Sequence, residues 1–252
     1  MMKIKQILAL IVSFLIFHSI TLAQNIDDIK YITEDYPPYN FKEDGKLKGI
    51  SVDLMVLMLQ KLKSKLLRSD IKLYPWARGY YYVQTTPNTC LFAMTRSRKR
   101  EKLFKWVGPY SPNPIVLFAL KSKNIRINSI KDLKRYQIGV VRDDISEQYL
   151  IEKGIPERNL YRVAYPEQNA KKLNIGRVDM WAYGEAVGIW IIKKSGLNPQ
   201  NFEIIYHLGP TDDLYFAFHK QAPDKLIQRF QAAFDELKKE GKYQDIIDRY
   251  SK

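Results

Sequence analysis

Gln137-Ile138-Gly139-Val140-Val141 runs through Arg142 into Asp143-Asp144-Ile145-Ser146-Glu147, and this junction decides the fold class. The first segment is an apolar run of strand length. In the second, Asp144 with Glu147 three residues on is a helix start signal, and Gly154 ends that helix. The alternation continues downstream. Residues 167–175 read as a helix closed by Gly176, 178–183 as a strand, 186–194 as a helix stopped by Gly196, and 202–208 as a strand. Strands alternating with helices predict an α/β protein with mostly parallel sheets.

Upstream, 28–33 reads as a strand followed by the stiff loop Asp35-Tyr36-Pro37-Pro38-Tyr39, whose paired prolines exclude helix and central strand. Glu43-Asp44-Gly45-Lys46 is a turn signal. A helix is expected from Ser51, with Asp53 in its first turn and Val52, Met55, Val56, Leu59, Leu62 and Leu66 as its apolar stripe. Residues 71–74, ended by Pro75, and 90–94 are further strands. The run 115–120 opens a second region, and Ser129-Ile130-Lys131-Asp132 is a capping box for a short helix. A last strand, 214–218, leads to a helix over 223–240 with Leu226, Phe230, Phe234 and Leu237 on its apolar face.

The 252 residues are 46% apolar and 27% charged, an ordinary globular composition that excludes disorder, collagen-like repeats and coiled coil. One cysteine, Cys90, excludes an intrachain disulfide framework, and with three histidines the chain has no Cys₄ or Cys₂His₂ zinc site. Cys90 reads as a buried small hydrophobe. Residues 1–23 have the form of a signal peptide: Lys3 and Lys5, an apolar stretch over 7–17, and Thr21-Leu22-Ala23 at the cut. The apolar stretch is too short to span a bilayer, and no cysteine follows it to carry a lipid. The mature chain is therefore expected to be soluble and periplasmic, with no lipid anchor. The formal net charge is +14. Because an exported protein rarely meets nucleic acid, most of that charge reads as solvated surface.

The order of these motifs resembles the family 3 extracellular solute-binding proteins, periplasmic receptors of polar amino-acid ABC transporters. The resemblance rests on Tyr36-Pro37-Pro38-Tyr39-Asn40-Phe41, residues 45–54, Met94-Thr95-Arg96-Ser97-Arg98-Lys99-Arg100-Glu101, Pro109-Tyr110, Ile130-Lys131-Asp132-Leu133, Ile138-Gly139-Val140 and Gly176-Arg177-Val178-Asp179. It implies a type II periplasmic-binding-protein fold: two α/β lobes joined by a two-strand hinge, with the ligand cleft between them. Lobe 1 would be discontinuous, 25–113 plus 209–252, with lobe 2 over 114–208 and crossings near 112–118 and 208–216.

By the same resemblance Arg100 binds a ligand carboxylate, which suits a planar guanidinium with paired donors. Thr95 and Ser97 would add contacts beside it. Arg96 flanks Ser97, as does Arg98, and either reads a second anionic group or is solvated charge. Tyr36 is expected in the cleft, with Tyr39 packing behind it. Trp76 and Arg78 resemble another cleft-lining segment, although Trp76 could equally be core. In lobe 2, Asp144 caps a helix and leaves Asp143 freer to face the cleft. Amino-acid receptors of this family commonly carry an Asp for the α-ammonium where this chain has Gly184. Glu185, one residue on, is the candidate substitute.

The resemblance thus implies a monomeric binding protein without cofactor, metal or catalytic residue. It would capture a small carboxylate or amino acid for an ABC permease in the inner membrane. The competing reading is an enzyme on the same fold, a dehydratase or lyase of a cyclic carboxylate, with Glu185 or Asp143 as acid or base.

Overall fold

Residues 25–250 are described in the computed structural model, and the expected signal peptide lies outside them. Strand β1 (Lys30–Thr33) leads through the proline loop to a hairpin of β2 (Phe41–Glu43) and β3 (Lys46–Lys48). Helix α1 (Ile50–Lys61), β4 (Lys72–Leu73), α2 (Trp76–Thr85), β5 (Thr89–Thr95) and β6 (Phe104–Asn113) follow. The middle of the chain contributes β7 (Ile115–Leu120), β8 (Ile138–Val141), α3 (Ile145–Glu152), β9 (Leu160–Val163), α4 (Pro166–Asn174), β10 (Met180–Gly184), α5 (Glu185–Lys194) and β11 (Phe202–His207). Then β12 (Asp212–His219), α6 (Asp224–Lys239) and α7 (Lys242–Tyr250) complete it.

The strands form two sheets, in the orders β4-β1-β5-β12-β6 and β11-β7-β10-β8-β9. The structure is the α/β architecture expected, in two lobes, but the sheets are mixed rather than mostly parallel. β4-β1-β5 and β10-β8-β9 are parallel, while β12 and β7 each pair antiparallel with both of their neighbours. The cause is connectivity. A parallel pair needs a long crossover, usually a helix. β6 passes to β7 through Pro114 alone, and β11 returns to β12 through 208–211, so these strands run between the sheets without a helical crossover.

Every residue of β5 is buried, in keeping with its continuous apolar run and its place inside a sheet that helices cover. Helix α1 starts one residue before the expected Ser51. Gly49 precedes it at φ +121°, with its Cβ position only 2.3 Å from the Tyr39 carbonyl oxygen, a place open only to glycine. The apolar stripe is broader than its period predicts: residues 50–55, Met58 and Leu59 are buried, whereas Val56, Leu62 and Leu66 are only partly so. Helices α6 and α7 cover α1 from further sides. Asp53 is held by Arg68 at 2.6 Å and by Arg249 and Tyr250 of α7 at 3.1 and 3.0 Å, which ties the chain's end to its beginning.

Besides the short strands β2, β3 and β9, three elements escape the sequence reading. Helix α2 buries Trp76, Gly79, Tyr80 and Val83, a helical spacing whose second position is a glycine. The Cβ position of Gly79 is 3.0 Å from Leu91 and 3.2 Å from Ile32, so the helix lies directly on the sheet. Strand β6 contains Gly108-Pro109 and Pro112, which read as breakers; the strand persists because residues 108–110 face the single residue Tyr215 in a bulge, after which Pro112 is in register with Asp213. Helix α7 is short and amphipathic, and among its residues only Ile246 is buried.

Candidate functional site

The turn after β5 ends at Arg100, which has no exposed surface. Pro75 starts α2, and its first turn sets Trp76 and Tyr80 in a stack, ring centres 5.5 Å apart and planes at 18°. The Arg100 guanidinium lies against both rings, 5.2 Å from Trp76 and 4.9 Å from Tyr80. Its acceptors come from both lobes. Nη1 donates to the Thr95 carbonyl at 3.4 Å, Nε to Gln148 Oε1 at 3.1 Å, and Nη2 to the Asp143 carbonyl at 3.2 Å.

Gln148 and Asp143 belong to the second sheet's side of the molecule, at the start of α3. Asp143 has φ +60°, and its carbonyl oxygen also receives Trp76 Nε1 at 2.9 Å and Gln148 Nε2 at 3.0 Å. Asp144 caps α3 as expected: its Oδ1 accepts from the amide and the hydroxyl of Ser146 at 3.0 and 2.6 Å. Glu147 reaches back to the Asp143 amide and is held by Arg162. Every hydrogen-bond acceptor around Arg100 is thus a neutral oxygen. No ion pair involves it among the described residues, although a buried charge is normally paired.

Tyr36 also lies where the two sheets meet. Its hydroxyl donates to Asn113 Oδ1 at 3.0 Å, and Asn113 in turn donates to Thr95 Oγ1 at 3.0 Å. Its ring stacks on Tyr39 at 5.8 Å and meets Tyr183 edge-on at 5.4 Å. Tyr39 bonds Ser111 at 3.0 Å in the packing role expected of it. The Tyr183 hydroxyl and Ser97 Oγ are buried without a hydrogen-bond partner. The Cβ position of Gly184 is 2.3 Å from the Tyr36 hydroxyl oxygen and 2.8 Å from Asn113 Oδ1. The place an acidic side chain would take at 184 is filled from the other lobe.

A cavity of about 410 Å³ opens between the lobes, bordered by Glu34, Asp35 and Trp76 on one side and Tyr165 and Glu167 on the other. Sequence reasoning passed over Glu34. It is 5% exposed and its carboxyl makes no hydrogen bond or ion pair with any described residue. Burial, then the nearby Asp144 and Asp35 carboxylates, push its pKa well above the carboxylate range, while Arg100 pulls the other way. Asp35 is pushed up to about 6 by burial and by Glu167 across the cavity. The available signal was Glu34 itself, an acidic residue between a strand and a double proline.

The structure thus brings Tyr36, Trp76, Thr95, Ser97, Arg100 and the backbone of Asp143 together. It does not bring in three other candidates. Arg78 is exposed, its guanidinium 4.1 Å from the Tyr74 ring centre. Arg96 turns outward to Glu101 in a paired bond of 2.7 and 2.6 Å and lies over Tyr215. With Arg98 it borders a separate groove of about 660 Å³. Glu185 is half-buried at the start of α5; its amide donates to the Pro114 carbonyl at 3.0 Å and its carboxylate bonds none of the cleft residues. The Asp143 carboxylate is likewise exposed, so that residue contributes its carbonyl instead.

The profile of the bacterial extracellular solute-binding proteins, family 3, matches residues 29–252. "Probable amino-acid-binding protein YxeM" of Bacillus subtilis (strain 168) is 30% identical over 221 residues, 84% of this chain and 79% of its own. A histidine kinase sensor domain with similarity to periplasmic binding proteins superposes with a TM-score of 0.77 at 21% identity, over 88% of this chain and 95% of that one. An ancestral arginine-binding protein bound to arginine gives 0.75 at 23% identity, over 90% and 99%. These two superpositions bear on the fold alone.

Proposed function

The chain belongs to the bacterial extracellular solute-binding proteins of family 3, and on that premise we propose that it captures a small carboxylate-bearing solute, an amino acid or a related organic acid, between its lobes. The observation that carries this reading is Arg100: a fully buried guanidinium, flanked by two aromatic faces, whose acceptors are all neutral. A carboxylate entering the cleft supplies the missing counter-charge and matches the guanidinium fork with two parallel bonds. The solute is then delivered, unchanged, to an ABC permease by a monomeric periplasmic receptor that opens and closes about the crossings at Pro114 and 208–211.

Binding is favoured over turnover by the acids offered for catalysis. Asp143 is exposed and joins Arg100 through its carbonyl alone, and the Glu185 carboxylate bonds none of the described cleft residues. The test is a thermal-shift screen of amino acids and organic carboxylates, followed by calorimetry and by mass spectrometry of the incubated solute. A ligand specific for the folded state raises the melting temperature. The expected result is a saturable carboxylate recovered intact. A solute consumed during incubation, or a screen without a carboxylate among its hits, overturns the reading.

A further inference from the structure

Position 184 cannot read an ammonium here. It is a glycine, and the Tyr36 hydroxyl and Asn113 Oδ1 fill the space that a side chain there would need. Glu185 offers no replacement, because it stays with α5 at the Pro114 crossing. Yet a second carboxyl does stand near Arg100. Glu34 is 95% shielded from solvent, borders the inter-lobe cavity together with Trp76, and its carboxyl makes no hydrogen bond or ion pair with any described residue. The ring of Trp76 is the one that lies 5.2 Å from the Arg100 guanidinium. An anion site and an unpartnered carboxyl therefore both border Trp76, so one cleft holds a group for each charge of a zwitterion.

We propose that Glu34, on the first lobe, receives the ammonium of the solute, so that the cleft selects an amino acid or another amine-bearing carboxylate over the plain acid. The inference rests on Arg100 as the carboxylate anchor. The surrounding charges agree with it. Asp35 on the same loop, Asp144 at the start of α3 and Glu167 of α4 all act on Glu34 with like charge, and Arg100 alone opposes them. Asp144 is occupied by its Ser146 cap, and Asp35 and Glu167 reach solvent, which leaves Glu34 as the buried carboxyl of the four without a hydrogen-bond partner among the described residues. A cationic head placed among these groups relieves their repulsion and favours the ionised form of Glu34.

The experiment is calorimetry of the wild type, Glu34→Gln and Glu185→Gln against the twenty common L-amino acids and the matching deaminated acids. The wild type should favour at least one amino acid over its deaminated partner. Glu34→Gln should weaken that amino acid on the order of tenfold or more, the loss of one charge-assisted partner, and leave the deaminated acid nearly unchanged. Glu185→Gln should change neither. An equal loss for both series, no loss for either, or a wild type that binds the deaminated acid as tightly overturns the role of Glu34 while leaving Arg100 in place. A wild type that binds neither series removes both readings. Should Glu34→Gln fail to fold, Glu34→Asp, which keeps the charge and withdraws it by one methylene, takes its place: it should narrow the preference for the amino acid over its deaminated partner, and an unchanged preference overturns the proposal.

Discussion

Arg100 Nη2 donates to the Asp143 carbonyl oxygen at 3.2 Å, a bond that spans the two lobes and occupies the donors a carboxylate would use. The bond is weak compensation for a buried cation, since a carbonyl carries no net charge. A carboxylate that displaces it gains a charge-assisted pair in a site already shielded from water.

Arg100→Ala should therefore weaken the carboxylate identified in the screen by about 2–5 kcal/mol, the usual result of leaving a buried charge unpaired. Arg100→Lys should recover part of that, because an ammonium cannot form the two parallel bonds. Arg98→Ala, an exposed neighbour, should change affinity by less than about fivefold. Calorimetry on the three variants, with folding checked by circular dichroism, measures the difference. Wild-type affinity in Arg100→Ala would falsify the anchor.

The lobes are held together in this conformation by Trp76 and Arg100 on the Asp143 carbonyl and by Tyr149 on Asp212. Trp76→Phe keeps an aromatic face for Arg100 and removes the indole donor. Small-angle scattering should give this variant a larger radius of gyration than the wild type without solute, and saturating solute should bring the two together. An identical radius without solute would show that the indole bond does not hold the lobes.

Gly184→Ala introduces a methyl where the Tyr36 hydroxyl oxygen lies 2.3 Å away. Such overpacking typically costs about 1–3 kcal/mol, and each kcal/mol lowers Tm by about 2–4 °C in a chain of this size. Tyr36→Phe in the same chain should restore part of the loss by clearing the oxygen. Calorimetric melting of the single and double variants tests the contact, and additive losses would refute it.

Much of the candidate site was legible through the family resemblance rather than through any residue taken alone. Arg100, Trp76 and Tyr36 belong to motifs whose order is informative, and the Asp144 cap is a purely local signal. What escaped depended on contacts far apart in sequence. Nothing near Glu34 announces that α3 and α4 will bury it, and the mixed sheets follow from crossings that local periodicity does not register. Arg96 and Arg100 are four residues apart with the same side chain, yet one pairs with Glu101 and the other is buried between two rings. Only the turn's three-dimensional path separates them.

Asp35 carries a pH dependence of defined sign. Its carboxyl is raised to about 6 by burial and Glu167, so the folded chain holds that proton more tightly than the unfolded one. The protonated form carries no penalty; the penalty appears as pH climbs from about 4, the ordinary carboxylate value, through 6. Asp35→Asn should melt above the wild type at pH 7, and the gap should close near pH 4. Equal melting temperatures at pH 7 would remove Asp35 from the account.

Strand β12 lies between β5 and β6 in the first sheet, although its partners precede the whole of the second sheet in the chain. The second sheet, by contrast, is drawn from one uninterrupted stretch, 115–207. A chain emerging from its N-terminus can therefore finish the second lobe while the first still lacks its inner strand, with the edges of β5 and β6 unpaired. Strand pairing over such separations is slow, which keeps the first lobe open until nearly all of the polypeptide is available. Loss of the last forty or so residues would for the same reason not trim the molecule at its margin but remove the middle of a sheet.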